Sequence, residues 1–197
     1  MSKLETNQVD PATGTTLTLG TSGDTIAVPS GVTIANSGTA TGFGKVLQVI
    51  STTKTDTFAG SDADTWYTIT GLSASITPSS TSSKILVTGH VMGASENTST
   101  DRRFYLKIQR AASDIAVGDS SGSRLQVHTA GFSNGGANAL TLPFNFLDSP
   151  SSTASLSYTI QVRDDTDGVV VNYAPSDSDN NTYPRAVSTI TLMEIGA

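Results

Sequence analysis

The sequence contains no cysteine, which excludes disulfides, thiolate zinc sites and thiol nucleophiles. Only two histidines, His90 and His128, are present, so imidazole chemistry has little to draw on. Charged residues make up 14% of the chain, and good helix formers such as Glu, Lys, Leu and Gln are sparse. No stretch approaches the roughly 18 apolar residues of a membrane span. Met1-Ser2-Lys3-Leu4-Glu5 lacks the apolar core of a signal peptide, so synthesis in a cytoplasm is expected, with any outside role reached by a route such as lysis. The net charge of −6 is spread along the chain, and the nearest thing to a basic cluster is Asp101-Arg102-Arg103. Neither nucleic acid nor a membrane is an expected partner.

What is abundant is Ser, Thr and Gly, interleaved with β-branched residues, and this favours strands and turns. The 197 residues suffice for one domain with an appendage. From about Val9 to Gly44 the chain is rhythmic: Thr16-Leu17-Thr18-Leu19, Thr25-Ile26-Ala27-Val28 and Val32-Thr33-Ile34 alternate with period two. Turn signals at Gly20 to Asp24, Pro29-Ser30-Gly31 and Ser37-Gly38 separate them. Strands this short bury too little apolar surface to offset their own ordering entropy. The segment is either disordered or folded against copies of itself, and the regular placement of β-branched residues favours an intertwined stem of three chains.

A glycine-flanked joint, Thr41-Gly42-Phe43-Gly44, precedes longer runs with one apolar face each. Strands are expected at Lys45–Ser51, Trp66–Thr77 with a bend at Gly71, Lys84–Met92, Arg103–Arg110, Arg124–Ala130, Asn138–Phe146, Ser155–Arg163, Val169–Tyr173 and Ala186–Glu194. Pro143 marks an edge strand or a bulge. Eight to ten strands without a helix predict an all-β chain: an antiparallel, jelly-roll-like β-sandwich head over 45–197, preceded by a short intertwined β stem over 14–44.

Candidate chemistry is thin. His90 and His128 read as outward-facing strand residues, neither with a second histidine two residues on to complete a metal site. Asp119-Ser120-Ser121-Gly122-Ser123 reads as a turn rather than the setting of a nucleophilic serine. The groups Asp62/Asp64, Asp164/Asp165/Asp167 and Asp177/Asp179 read as solvated turns, although Asp177 to Asn181 bears a faint likeness to the start of a calcium loop without its glycine and distal glutamate. No cofactor, resident metal or catalysis is expected. Trp66, beside Tyr67, reads as core. The remaining candidate is a contact surface for a glycan or protein, formed by Tyr173, Asp177, Asp179, Tyr183 and Arg185, because aromatics beside carboxylates and a guanidinium grip sugars by stacking and hydrogen bonding.

The stretch Leu17-Thr18-Leu19-Gly20-Thr21-Ser22-Gly23-Asp24-Thr25-Ile26, continuing through Val28-Pro29-Ser30-Gly31-Val32, resembles repeats in tail-fibre and other virion structural proteins of marine podoviruses, cyanophages and pelagiphages among them. Gly44 to Val49, Thr65-Trp66, Thr70-Gly71-Leu72, Ile76-Thr77-Pro78 and Ser82 to Val87 are similar to a head segment of such proteins. The resemblance covers about residues 14 to 90, and the remainder only in style. It implies a homotrimeric, β-rich appendage of a tailed phage virion, attached to other virion proteins through residues 1–13, with the head meeting the host surface. The chain is shorter than most tail fibres and has no long shaft, so a receptor-binding fibre and an architectural head fibre or decoration protein both remain open.

Overall fold

The computed structural model describes residues 9, 11, 13–33, 45–96, 102–133 and 139–196. The chain divides into two units, Met1–Gly42 and Phe43–Ala197. The joint Thr41–Gly44, Ile34, Ser37-Gly38, Asn138 and most of the attachment peptide lie outside the described residues.

In the first unit both described turn signals form turns. Asp24 N–H donates to Thr21 O at 3.0 Å, and Val32 N–H to Pro29 O at 3.2 Å. The Asp24 carboxylate accepts from the Thr21 amide and hydroxyl at 2.7 and 3.0 Å, bonds that hold it below its ordinary range. The expected strands do not form within the single chain: residues 13–33 contain no strand and are exposed. The reason is physical, since a strand's backbone groups and apolar face both need a neighbour. Leu17, Leu19, Ile26, Val28 and Val32 remain 42–63% exposed.

The second unit is all-β, with no helix among the described residues. Its strands are β1 (Val46–Lys54), β2 (Phe58–Gly60), β3 (Tyr67–Ile76), β4 (Lys84–Ser95), β5 (Arg102–Arg110), β6 (Ser113–Ile115), β7 (Thr129–Ser133), β8 (Leu140–Asp148), β9 (Leu156–Asp164), β10 (Val169–Val171) and β11 (Ser188–Ile195). One sheet runs β1-β11-β4-β8, with β10 and β2 continuing along the β11 side of β4; the other runs β3-β9-β5-β7, with β6 beside β7 on the same edge of β5. All pairings are antiparallel. If the three-residue strands are set aside, eight remain, and their sheet orders, 1-8-3-6 and 2-7-4-5, are those of a jelly roll.

Alternation explains the core. Phe104, Leu106 and Ile108 of β5, Tyr158, Ile160 and Val162 of β9, Ile85, Val87 and Val91 of β4, and Ile190 and Leu192 of β11 meet between the sheets. Each such side chain contributes about 1.5–3 kcal/mol on burial. Gly71, at φ +82°, produces the expected bend and lets the chain slip one residue in phase, so that Ile69 and Leu72 both point inward. Pro143 lies on β8, which among the described residues is an edge strand paired with β4 alone.

One expected strand is misplaced. Arg124–Gln126 belongs to a loop, closed by Gly118 N–H to Val127 O at 3.2 Å and Gln126 Nε2 to Gly118 O at 2.8 Å, and β7 begins only at Thr129. Leu125 and Val127 alternate with polar neighbours, but no strand among the described residues takes up their backbone groups.

Candidate functional site

The jelly roll sorts its loops to two ends. Lys45 and Gly196 share one end, joined by a hydrogen bond of 3.0 Å, together with the connection at 77–83. The opposite end carries 55–57, Glu96 and the long connection 172–187.

Asn172 anchors that long connection. It is fully buried at φ +66°; its Nδ2 donates to Lys54 O and Asp56 O at 2.9 and 2.8 Å, and its Oδ1 accepts from Ser188 Oγ at 2.6 Å. Its backbone bonds to Met92 and Ala186 close the base of the loop. Above the base, Arg185 lies 5.3 Å from the ring centre of Tyr173 and pairs with the Asp177 carboxylate at 2.8 Å. Asp177, Asp179, Tyr183 and Arg185, with Ser178 and Asn180, line a concavity of about 270 Å³. The structure thus brings four of the five sequence-predicted residues to one concavity, and the fifth, Tyr173, meets it only through its contact with Arg185. Burial raises the Tyr173 phenol, and the Glu96 and Asp177 carboxylates raise it further, so it is a neutral hydrogen-bonding group. The Asp177 carboxylate is engaged by the guanidinium, and among the described residues no three His, Cys, Asp or Glu side chains converge to hold a metal ion.

The other candidates resolve individually. His90 faces outward on β4, its Nε2 donating to Val187 O at 3.1 Å and its Nδ1 accepting from the Thr189 hydroxyl at 3.2 Å. His128 does not sit on a strand face as expected. It precedes β7, half-buried, with Nδ1 3.0 Å from Ala116 O, and lines a concavity of about 420 Å³ with Thr129, Pro143 and Phe144. Gly118-Asp119-Ser120-Ser121-Gly122 matches the Gly-x-Ser-x-Gly pattern letter for letter, yet it is an exposed loop with a turn between Ser121 and Arg124 and no helix after it. Asp164 departs from the solvated-turn reading: it is fully buried and caps its own turn by accepting from Thr166 N–H, Thr166 Oγ1 and Asp167 N–H, each at 2.8 Å, because burial of a carboxylate needs such donors.

Trp66 corrects the sequence reading. It is half-exposed on the outer face of the β3-β9-β5-β7 sheet, with the Lys107 ammonium 4.4 Å from its ring centre. Arg163, Tyr105 and Arg103 project from the same face, as does Phe132, which is 67% exposed opposite Arg103. Cations on this face are neutralised locally: Lys107 by Asp114 at 2.6 Å, Arg163 by Asp64 and Arg103 by Asp165. Burial and the Asp165 charge raise the Tyr105 phenol. The signal available in the sequence was the alternation of Arg103, Tyr105, Lys107 and Gln109, which puts one polar-aromatic row on one face.

No protein-family model and no curated protein matches the chain. Among solved structures, it is similar to that of infectious bursal disease virus Gx strain, at TM-score 0.38 and 14% identity over 82% of this chain. It is also similar to the infectious bursal disease virus VP2 subviral particle, at TM-score 0.35 and 12% identity over 75% of this chain. The match spans 46% and 41% of those chains, respectively, less than half of each. Likeness at this level carries no argument about function.

Proposed function

We propose that the chain is a non-enzymatic structural protein of a bacteriophage virion, a short, trimeric, tail-fibre-like appendage whose jelly-roll head contacts the host surface. The observation that carries this reading is the gathering of Asp177, Asp179, Tyr183 and Arg185 around one concavity, with Arg185 against the Tyr173 ring, at the end of the sandwich opposite the start of β1. A phenol, paired charges and a stacked guanidinium present the donors and acceptors that a surface glycan or a polar protein loop offers in return. Residues 1–13 are assigned to attachment on other virion proteins, and the protein is made in the host cytoplasm and released with the particle. No cofactor, nucleic acid or membrane insertion enters the reading. Purified protein is expected to compete with phage for adsorption to host cells, and Tyr183→Ala with Arg185→Ala to abolish that competition without changing the melting temperature. Undiminished competition by the double variant overturns the site.

A second reading, an architectural head fibre or decoration protein, is favoured by a different surface. Val49, Met193, Leu86 and Leu147 lie in one register row across the outer face of β1, β11, β4 and β8, with Val49 54% and Leu147 46% exposed. An apolar row four strands wide suits permanent packing against a neighbour. A copy number matching a lattice position, with no competition for host cells, would select this reading.

A further inference from the structure

We infer that the outer face of the β3-β9-β5-β7 sheet is a second binding site, a flat platform for an extended, neutral, β-linked glycan, with Trp66 and Tyr105 as its stacking residues. Trp66 precedes β3 and Tyr105 lies on β5, with β9 between them. Two interstrand steps separate their backbone positions by about 10 Å, the scale of the two-sugar repeat of an extended β-linked glycan, and the Lys107 ammonium 4.4 Å from the Trp66 ring centre would have to swing aside to open that ring for stacking. Arg163 lies between Trp66 and Tyr105, since it pairs with Tyr105 across the ladder and stands one step beyond the Tyr67–Val162 pair. The next row supplies Gln161, whose Nε2 donates to Thr68 Oγ1 at 3.1 Å, in register with Lys107. These are amide and hydroxyl groups held in place by one another, the preorganisation that weak sugar contacts need. The charge pattern selects the ligand. Each cation of the face has its own carboxylate, so an acidic polysaccharide or a phosphate chain gains little there, whereas a neutral chain of hydroxyls meets both donors and acceptors. Arg163 Nε and Asp165 Oδ1 lie beneath the row, buried and without hydrogen-bond partners. This site is separate from the 172–187 concavity and does not depend on it.

The test is direct because Trp66 is the single tryptophan of the chain, so intrinsic tryptophan emission reports on this face alone. Full-length protein is titrated with cellohexaose, laminarihexaose and mannohexaose, with hyaluronan as the acidic comparison. A saturable change in emission with at least one neutral hexasaccharide is expected. Tyr105→Ala should weaken it by about tenfold, Gln161→Ala by about threefold, and Arg185→Ala not at all. Gln161→Ala carries the comparison if Tyr105→Ala loses its cooperative melt. Three outcomes overturn the proposal: no saturable change with any neutral glycan, preference for hyaluronan, or a changed oligomeric state in Tyr105→Ala, which would make the face a subunit contact. Loss of cell binding in Arg185→Ala with Trp66 titration intact separates this site from the loop-end one.

Discussion

Glu194 is a charged residue in an apolar phase: it follows Ile190 and Leu192 on the inward side of β11 and is fully buried. Burial alone would raise its carboxyl. That effect is outweighed by hydrogen bonds from Ser79 Oγ at 2.6 Å, Gln48 Nε2 at 2.6 Å and Ser79 N–H at 2.7 Å, which hold the pKa at about 2. Because the folded value lies below the unfolded value near 4.5, the stabilisation is present above pH 4.5 and lost as the pH falls toward 2. Glu194→Gln is expected to lower stability at pH 7 by about 1–3 kcal/mol, with the gap to wild type narrowing below pH 4.5, as urea denaturation at a series of pH values would show. From the sequence, Glu194 reads only as the end of the last strand, and Trp66 reads as core from its residue type; alternation alone also places Trp66 inside, for a definite reason. Counting back from Ile76 and Leu72 in steps of two assigns Trp66 to the inside, and the one-residue slip at Gly71 turns it out.

At the scale of elements, the two sheets approach closely because glycines receive rings. A Cβ on Gly93 of β4 would stand 2.5 Å from Phe104 Cζ of β5, and one on Gly60 of β2 2.5 Å from the Tyr67 ring of β3. Gly93→Ala is expected to force Phe104 from its seat and cost about 1–3 kcal/mol, lowering the melting midpoint by several degrees in a calorimetric scan. Gly118→Ala, whose Cβ meets open space, should leave it within a degree or two. Strands long enough for periodicity were legible: Arg103–Arg110 alternates cleanly, and β5 spans Arg102–Arg110. β2 and β6, at three residues each, carry too few positions for a period to show. They exist because β10 and β5 offer them free edges, which is tertiary information. The candidate loop was legible by composition, since Tyr, Asp and Arg crowd 173–185, but its concavity depends on Asn172, whose Nδ2 partners, Lys54 O and Asp56 O, lie more than 110 positions away in sequence.

For the whole molecule, the decisive quantity is how many chains stand together. The exposed Leu17, Leu19, Ile26, Val28 and Val32 recur along a segment that forms no strand alone, and pooling such narrow stripes is the route to a core. Multi-angle light scattering is expected to give three times the chain mass of 20.3 kDa, and Leu17→Asp with Ile26→Asp to return the monomer with the head's melting transition retained. A monomeric wild type would remove the stem argument.

The pairing of β1 with β11 also dictates the timing of the molecule's own birth. Val46 is matched to Ile195, so the first strand of the head cannot close its ladder until the last one has left the ribosome. Such long-range closure is slow, on the order of milliseconds to seconds. By the time β11 is synthesised, the apolar residues 17–32, exposed in the single chain, have long since left the ribosome. If three chains associate through residues 17–32 as proposed, neighbouring nascent chains on one message would meet there before any of the β-sandwiches is complete, and assembly would precede folding rather than follow it.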